Sequence, residues 1–365
     1  MRGRGAFSNP PNRFEPRSRV PVDPDDSSST EACWEFLGPA IPTTVAIDST
    51  RTILARNDSP DIPFDVSINP YRGCEHGCIY CFARPTHAYL GHSPGIDFET
   101  KLIAKPDAAA LLRHELSKPG YRCSPIALGT NTDPYQPIER TWMITRQILE
   151  VLAEHDHPVS IVTKSAGVLR DLDILAPMAS KGLAKVFVSV TTLDPTLAQA
   201  MEPRAASPAR RVEALREIHS AGIPAGVLVS PIIPGLTDHE LEEILKAAAG
   251  AGVASAGWLL VRLPLEVKTL FEEWLRRHFP SRAERVLGRI RAMREGQLND
   301  PRFGSRMRGS GPFAELLRKR FEITCRRLAI ATTSAPLTTA LFRMPGAPKP
   351  LFALDYTGTL HEGSR

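Results

Sequence analysis

Residues 67–84 read Ser-Ile-Asn-Pro-Tyr-Arg-Gly-Cys-Glu-His-Gly-Cys-Ile-Tyr-Cys-Phe-Ala-Arg, and they place Cys74, Cys78 and Cys81 at C-x3-C-x2-C spacing. Each intervening segment is just long enough to fold back, so the three thiolates can converge on one metal centre. A structural zinc site wants four ligands, usually two C-x2-C knuckles or Cys/His pairs. There is no second knuckle, and Cys123 and Cys325 are isolated. A ferredoxin-type cluster also wants four cysteines. Three leave one iron of a [4Fe–4S] cube without a protein ligand, open to a cofactor or substrate. A zinc loop completed by His76 or a remote side chain is the alternative. Gly73 and Gly77 allow close backbone approach and positive φ, and Pro70 ends the segment that leads in.

Working outward, the 365 residues suffice for one large or two medium domains, and 42% hydrophobic content is ordinary for a globular protein. No apolar run is long enough for a transmembrane helix, and the Arg-rich start lacks the apolar core of a signal peptide. Cysteines gathered on one loop do not resemble a disulfide framework and fit a reducing cytoplasm. Net charge is +5, yet residues 276–327 hold fifteen Arg or Lys against five Asp or Glu, so the rest of the chain is about five negative. That asymmetry points to a polyanion such as nucleic acid, with a solvated helical surface as the plainer reading.

Short apolar runs alternate with longer amphipathic ones from residue 64 onward. Strands are expected at 64–69, 125–129, 159–163, 185–191, 225–230 and 256–261, and helices at 108–117, 141–155, 172–181, 208–221 and 239–251. Six such units form a parallel sheet curved into a partial (βα)6 barrel of TIM type, an α/β fold. The expected organisation is a disordered Arg/Pro/Ser-rich tail over 1–44, the barrel over 45–264, a helical basic extension over 265–330 and an extended tail over 331–365.

Chemistry in such barrels sits beyond the C-terminal strand ends, and the cysteine loop follows the first strand as that rule requires. The second strand ends in Gly129-Thr-Asn-Thr-Asp-Pro-Tyr-Gln-Pro-Ile-Glu139, the third in Thr163-Lys164-Ser165, and the fourth carries Ser189 and Thr191. Glu202 and Arg204 form a local ion pair or a substrate clamp. Pro231 to Gly235 is rigid and apolar. His87 and Tyr89, just beyond the cysteines, are within reach of the barrel interior, although a lone histidine is more often structural. The stretch 300–312, with Gly304, Gly309 and Gly311 beside Arg302, Arg306 and Arg308, suits a phosphate or serves as a flexible connector.

The cysteine spacing, with Tyr80 in the aromatic place of C-x3-C-x-aromatic-C, resembles the radical S-adenosylmethionine (SAM) superfamily. The resemblance spans roughly 64–264. The strand-end set resembles the spore photolyase-like branch. It implies a (βα)6 barrel, a [4Fe–4S] cluster on Cys74, Cys78 and Cys81, and SAM chelated to the open iron. Reductive cleavage would give a 5′-deoxyadenosyl radical that abstracts hydrogen from a substrate. An electron donor of flavodoxin or ferredoxin type is implied. By location, Thr130, Thr132 and Asp133 stand where the superfamily often uses Gly-Gly-Glu to hold the SAM amino group. Lys164 and Ser189 map to the SAM carboxylate. Spore photolyases place a hydrogen-donating cysteine at the end of strand two, where this chain has Asn131; the departure puts thymine-dimer repair in question and leaves photolyase-like lyase or repair chemistry open. Nucleic acid through 276–327 is the candidate substrate. The other classes are a zinc- or iron–sulfur-containing nucleic-acid-binding protein without catalysis and an electron-transfer protein.

Overall fold

A computed structural model describes residues 3–14, 41–346, 352–354 and 360–362. Six strands pair in parallel and in sequential order: β1 (Val66–Ile68), β2 (Ile126–Leu128), β3 (Val159–Thr163), β4 (Ala184–Ser189), β5 (Ala225–Ile232) and β6 (Ser255–Leu260). Helices α1 (Ala108–Leu116), α2 (Ile144–Glu154), α3 (Leu172–Ser180), α4 (Pro208–Ser220) and α5 (Leu241–Gly250) return the chain between successive strands. This is the partial (βα)6 arrangement, left open between β6 and an antiparallel edge strand, Ala55–Arg56, beside β1. The strands are short and β-branched because both faces are covered; Ile126, Leu128, Val159, Ile161, Val186, Val188, Val227 and Val229 are all buried in one core.

The fold departs from the pattern-based reading in four places. Residues 141–155 are not one helix. A short turn at Glu139–Trp142 is separated from α2 by Met143 at φ 53°. The cause is Glu139, whose buried carboxylate accepts from the backbone of Thr145 at 3.1 Å and of Arg146 at 3.4 Å. It thereby caps α2, and the preceding turn cannot run straight into that helix.

Second, a small sheet stands beside the barrel sheet. Lys101–Ala104 pairs in parallel with Thr44–Ile47 and antiparallel with Tyr71–Arg72. It fixes the chain on both sides of the cysteine loop.

Third, residues 3–14, which composition assigns to a disordered tail, pack against that loop, with Arg4, Ala6 and Asn12 buried; residues 15–40 lie outside the described residues. Fourth, residues 331–346 are not simply a tail. Ala331 bridges Ser255, the amide of Thr338 donates to Gly182, and that of Arg343 donates to His155. They cover the base of the barrel, where the strands begin. Farther on, Phe352–Leu354 and Leu360–Glu362 pair antiparallel.

Beyond β6 the extension is helical as its pattern suggests: α6 (Val267–His278), α7 (Ala283–Ala292) and α8 (Gly311–Arg327). The apolar faces of α6 and α7 bury Phe271, Trp274, Val286, Leu287 and Ile290 in a second core that also includes Cys78, Ile79 and Tyr80. The extension is therefore packed into the cysteine loop. Among the described residues, no helix is long and apolar enough to cross a membrane.

Candidate active site

The cysteine loop leaves the C-terminal end of β1. Cys74, Cys78 and Cys81 are free thiols, the first two buried and the third partly so. Burial pushes all three thiols up, Cys74 and Cys78 strongly. The Asp133 carboxylate adds to this at Cys74 and Glu202 at Cys78, while Arg84 opposes it at Cys81. Cys78 and Cys81 each act electrostatically on Cys74, so the three share one space. Buried, mutually repelling thiols of this kind become thiolates when a cation takes the proton's place.

The loop is held by a buried clamp. Arg84 donates to the carbonyls of Cys78 at 2.9 Å and Gly77 at 3.1 Å, to those of Pro94 and Gly95, and to Glu99 Oε1 at 2.5 Å. Both ends of that ion pair are fully buried. Glu99 also accepts from the backbone N–H of Gly5 and of Ala6, both at 2.9 Å. Only glycine fits at position 5, because a Cβ there would lie 1.8 Å from the Gly77 carbonyl oxygen. Gly77 itself has φ +67° and Glu99 Oε2 2.7 Å from where a Cβ would stand. The amide of Glu75 donates to Gln136 Oε1 at 2.8 Å, and Gln136 Nε2 returns a bond to the Gly73 carbonyl at 3.2 Å.

Around the thiols lie the strand-end residues. Lys164, largely buried after β3, donates to the carbonyl of Ser230 at 3.2 Å and stands 3.8 Å from Glu202 Oε1 and 5.9 Å from the centre of the Tyr80 ring. Burial pushes its ammonium down to about 8, against the pull of the Cys78 and Asp133 groups. Glu202 also accepts from Tyr80 Oη, from Thr191 Oγ1 at 2.7 Å and from the fully buried Arg211. Arg211 in turn donates to the backbone carbonyl of Ser189 at 3.2 Å. The local pair of Glu202 with Arg204 does not form. Arg204 reaches Glu75 at 3.0 Å instead. Arg211 sits within the helical pattern of α4, outside every motif, and carried no signal that could have singled it out.

The Asp133 side chain is mostly out of solvent, and that burial works to raise its carboxyl. His76 at 3.4 Å, the Lys164 amide at 2.7 Å and Thr163 Oγ1 at 2.7 Å outweigh that and hold it below the usual range. Thr132 Oγ1 donates to the Tyr71 carbonyl at 2.9 Å, and the amides of Asn131 and Thr132 donate to Asn69 Oδ1. Thr132 and Asp133 thus bind β1, β2 and β3 ends to one another, while Thr130 is only partly buried.

His87 and Tyr89 do not reach the barrel. His87 is fully buried beneath Lys101–Ala104, with Nε2–H donating to the Lys101 carbonyl at 2.9 Å, and Tyr89 is exposed against Phe14. Cys123 precedes β2, and Cys325 lies in α8 in the main core near the base. The loop at 300–312 is no free anion nest: Arg302 pairs with Asp300 and Glu295, Arg306 with Asp61, and Arg308 stacks on Trp258 at 4.4 Å.

These residues suit a three-thiolate cluster. Among the described residues no three His, Cys, Asp or Glu side chains close on a single ion; thiolates that each bind a different iron need not do so. His76, the candidate fourth ligand for zinc, is turned toward Asp133.

Residues 68–248 match the family model of the Radical SAM superfamily. An uncharacterized protein of Mycobacterium tuberculosis is 39% identical over 226 residues, 61% of this chain and 66% of that protein. One of Methanocaldococcus jannaschii is 30% identical over 173 residues, 47% of this chain and 62% of its own length. The match thus spans just under two thirds of these relatives. Among solved structures, spore photoproduct lyase complexed with dinucleoside spore photoproduct superposes with a TM-score of 0.56, covering 78% of both chains at 17% identity, a likeness of fold. A form of that lyase with bound AdoMet gives a TM-score of 0.50 at 17% identity. The match begins on β1, runs through the cysteine loop and ends in α5, and with it the chain belongs to the radical SAM superfamily of enzymes, whose cofactors are a [4Fe–4S] cluster and SAM.

Proposed function

We propose that this chain cleaves SAM reductively and abstracts hydrogen from a nucleic-acid substrate. The observation that carries the first part is the meeting of three free thiols with a buried cation, Lys164, at the end of the barrel where the strands finish. Cys74, Cys78 and Cys81 would hold the cluster, Lys164 and Ser189 the SAM carboxylate. Thr130, with the wall that Thr132 and Asp133 brace, would face the SAM amino group. When bound, the cluster and SAM supply a 5′-deoxyadenosyl radical.

The chain's own residues bind, orient and shield. Arg84 and Glu99 fix the backbone that carries the thiols. Glu202, held by Arg211, Thr191 and Tyr80, fixes the charge beside Lys164. The packed α6–α7 layer and residues 3–14 close off the cysteine loop, which limits loss of the radical to water.

Nucleic acid is supported by the fold shared with a lyase complexed with a dinucleoside photoproduct and by the basic extension. The hydrogen-return step would differ from that of a strand-two cysteine. Asn131 stands there, and Cys123 and Cys325 lie toward the other end of the barrel.

The test is anaerobic reconstitution with iron and sulfide, dithionite reduction, and chromatography for 5′-deoxyadenosine. Wild type is expected to form it, and Cys78→Ala to form none. A cluster that forms and never cleaves SAM would favour the electron-transfer class. Zinc in place of iron would favour a binding protein.

A further inference from the structure

The charge of residues 276–327 is not spread evenly once the chain is folded. Arg276 is paired with Glu284, Arg291 with Glu272, Arg302 with Asp300, Arg306 with Asp61, Arg318 with Glu315 and Arg320 with Glu242. Arg294 is buried against the Val261 carbonyl at 2.6 Å, and Arg308 lies on Trp258. Of the arginines left without a carboxylate in contact, Arg277 lies over the Phe7 ring and Arg326 and Arg327 sit at the far end of α8, while three others gather at one place. Arg282, Arg285 and Arg289 are all exposed, and their spacing of three and four residues puts them on one side of α7 and its first turn. Among the described residues neither Arg282 nor Arg285 has a carboxylate within ion-pair distance, and Arg289 is 4.0 Å from Asp238.

These three arginines face the loop that leaves β5. With Gly235, Asp238 and His239 they line a hollow of about 280 Å³. Asp238 is the one carboxylate in it, and its Oδ1 is already taken by the Gly235 amide. The loop follows the C-terminal end of β5, so the hollow lies on the same end of the barrel as the cysteine loop and Lys164. A larger hollow, about 360 Å³ and lined by Leu54, Arg56 and Tyr121 among others, has a mixed lining and lies near the base.

We propose that the Arg282/Arg285/Arg289 hollow is a phosphate site that holds the backbone of a nucleic-acid strand across the barrel mouth. Guanidinium forks match phosphate oxygens in pairs, and three of them against one occupied carboxylate favour an anion. A recess of this size takes a phosphodiester group. This rests on the nucleic-acid reading above and gives it a location.

The test is fluorescence anisotropy of a fluorescein-labelled single-stranded DNA 12-mer with the full chain, across a salt series. The triple variant Arg282→Gln/Arg285→Gln/Arg289→Gln is compared with Arg326→Gln/Arg327→Gln, two exposed arginines at the far end of α8 near the base. The hollow variant is expected to bind roughly tenfold or more weakly, the worth of one set of charge-assisted contacts. Its salt slope should fall by about 0.7 for each phosphate that the variant no longer neutralises. The base variant should change little. Equal weakening in both variants, or none in the first, overturns the site. Displacement of the 12-mer by polyglutamate as readily as by unlabelled DNA, charge for charge, also overturns it and moves the surface to an acidic protein partner. Arg282→Gln/Arg285→Gln alone leaves Arg289 beside the β5 loop in place, so its loss of binding cannot be ascribed to a displaced loop. Failure of the SAM-cleavage reading is seen separately, as absence of 5′-deoxyadenosine from wild type.

Discussion

Lys164 illustrates how much one side chain can be asked to do. Its ammonium has given up most of its water and in return has one carbonyl at 3.2 Å and a carboxylate at 3.8 Å, the latter mostly engaged by Arg211, Thr191 and Tyr80. A buried cation so thinly compensated is poor at stabilising a fold and well suited to receiving an anion. Replacing it with Met should therefore leave the thermal midpoint unchanged or slightly higher, because Glu202 keeps Arg211. The reconstituted variant should retain its iron and bind SAM at least tenfold more weakly by calorimetry, the loss of a charge-assisted hydrogen bond. Unchanged SAM affinity at full iron content would remove Lys164 from the cofactor site. Ser189 and Thr191, one strand over, show how far alternation along a strand carries. Both are buried, yet their setting depends on Arg211 of α4, which donates to the Ser189 carbonyl and holds the Glu202 carboxylate to which Thr191 donates.

At the scale of elements, the six strands and five intervening helices were legible because each satisfies a local rule. β-branched runs bounded by Gly, Pro or Asn read as strands, and β3 begins and ends where the pattern places it. The thiols, Lys164 and Asp133 were legible because barrel chemistry follows strand ends. What was not legible is made by contacts across long stretches of sequence. Glu99 meets Arg84 fifteen residues away, and meets Gly5 and Ala6 more than ninety away. No periodicity within residues 3–14 reports that pairing, and composition alone suggests disorder there. Arg84 looks like the end of a motif, although it is the residue that holds the loop. The clamp has a measurable worth. Glu99→Ala would leave the Arg84 guanidinium buried without its counter-charge and two backbone N–H groups without acceptors. A loss of about 3–5 kcal/mol follows for the unpaired ion. The urea midpoint of the apoprotein should fall accordingly, and hydrogen exchange should rise in residues 73–84 and 3–14 together. A variant with wild-type stability and exchange confined to one of the two segments would show that they are not coupled through Glu99.

The whole molecule is closed at both ends by buried neutral histidines, and that sets its response to acid. Near the cysteine loop, His87 lies under the small sheet with one ring nitrogen donating to the Lys101 carbonyl and the other without a partner. At the base, His157 accepts from Tyr121 Oη at 2.7 Å, donates to its neighbouring carbonyl, and packs on Phe342 of the C-terminal segment. Burial pushes both down to about 4, against about 6.5 in an unfolded chain. Between those values the unfolded state binds protons that the folded state refuses, so stability increases with pH across the window and falls as pH is lowered through it. At pH 5 the loss relative to pH 7 is about 2 kcal/mol for each histidine on these values. Urea unfolding of the apoprotein at pH 7, 6 and 5 should show the midpoint falling steadily. In His157→Phe, which cannot take up a proton at the base, the drop should be roughly halved, whatever its starting stability. The Phe342 contact links that titration to residues 331–346, so their hydrogen exchange should rise on the same limb in wild type and not in the variant. A midpoint that holds or rises from pH 7 to pH 5 would mean that both rings are already charged in the fold, and the two ends of the barrel would have to be held by something other than burial of neutral imidazole.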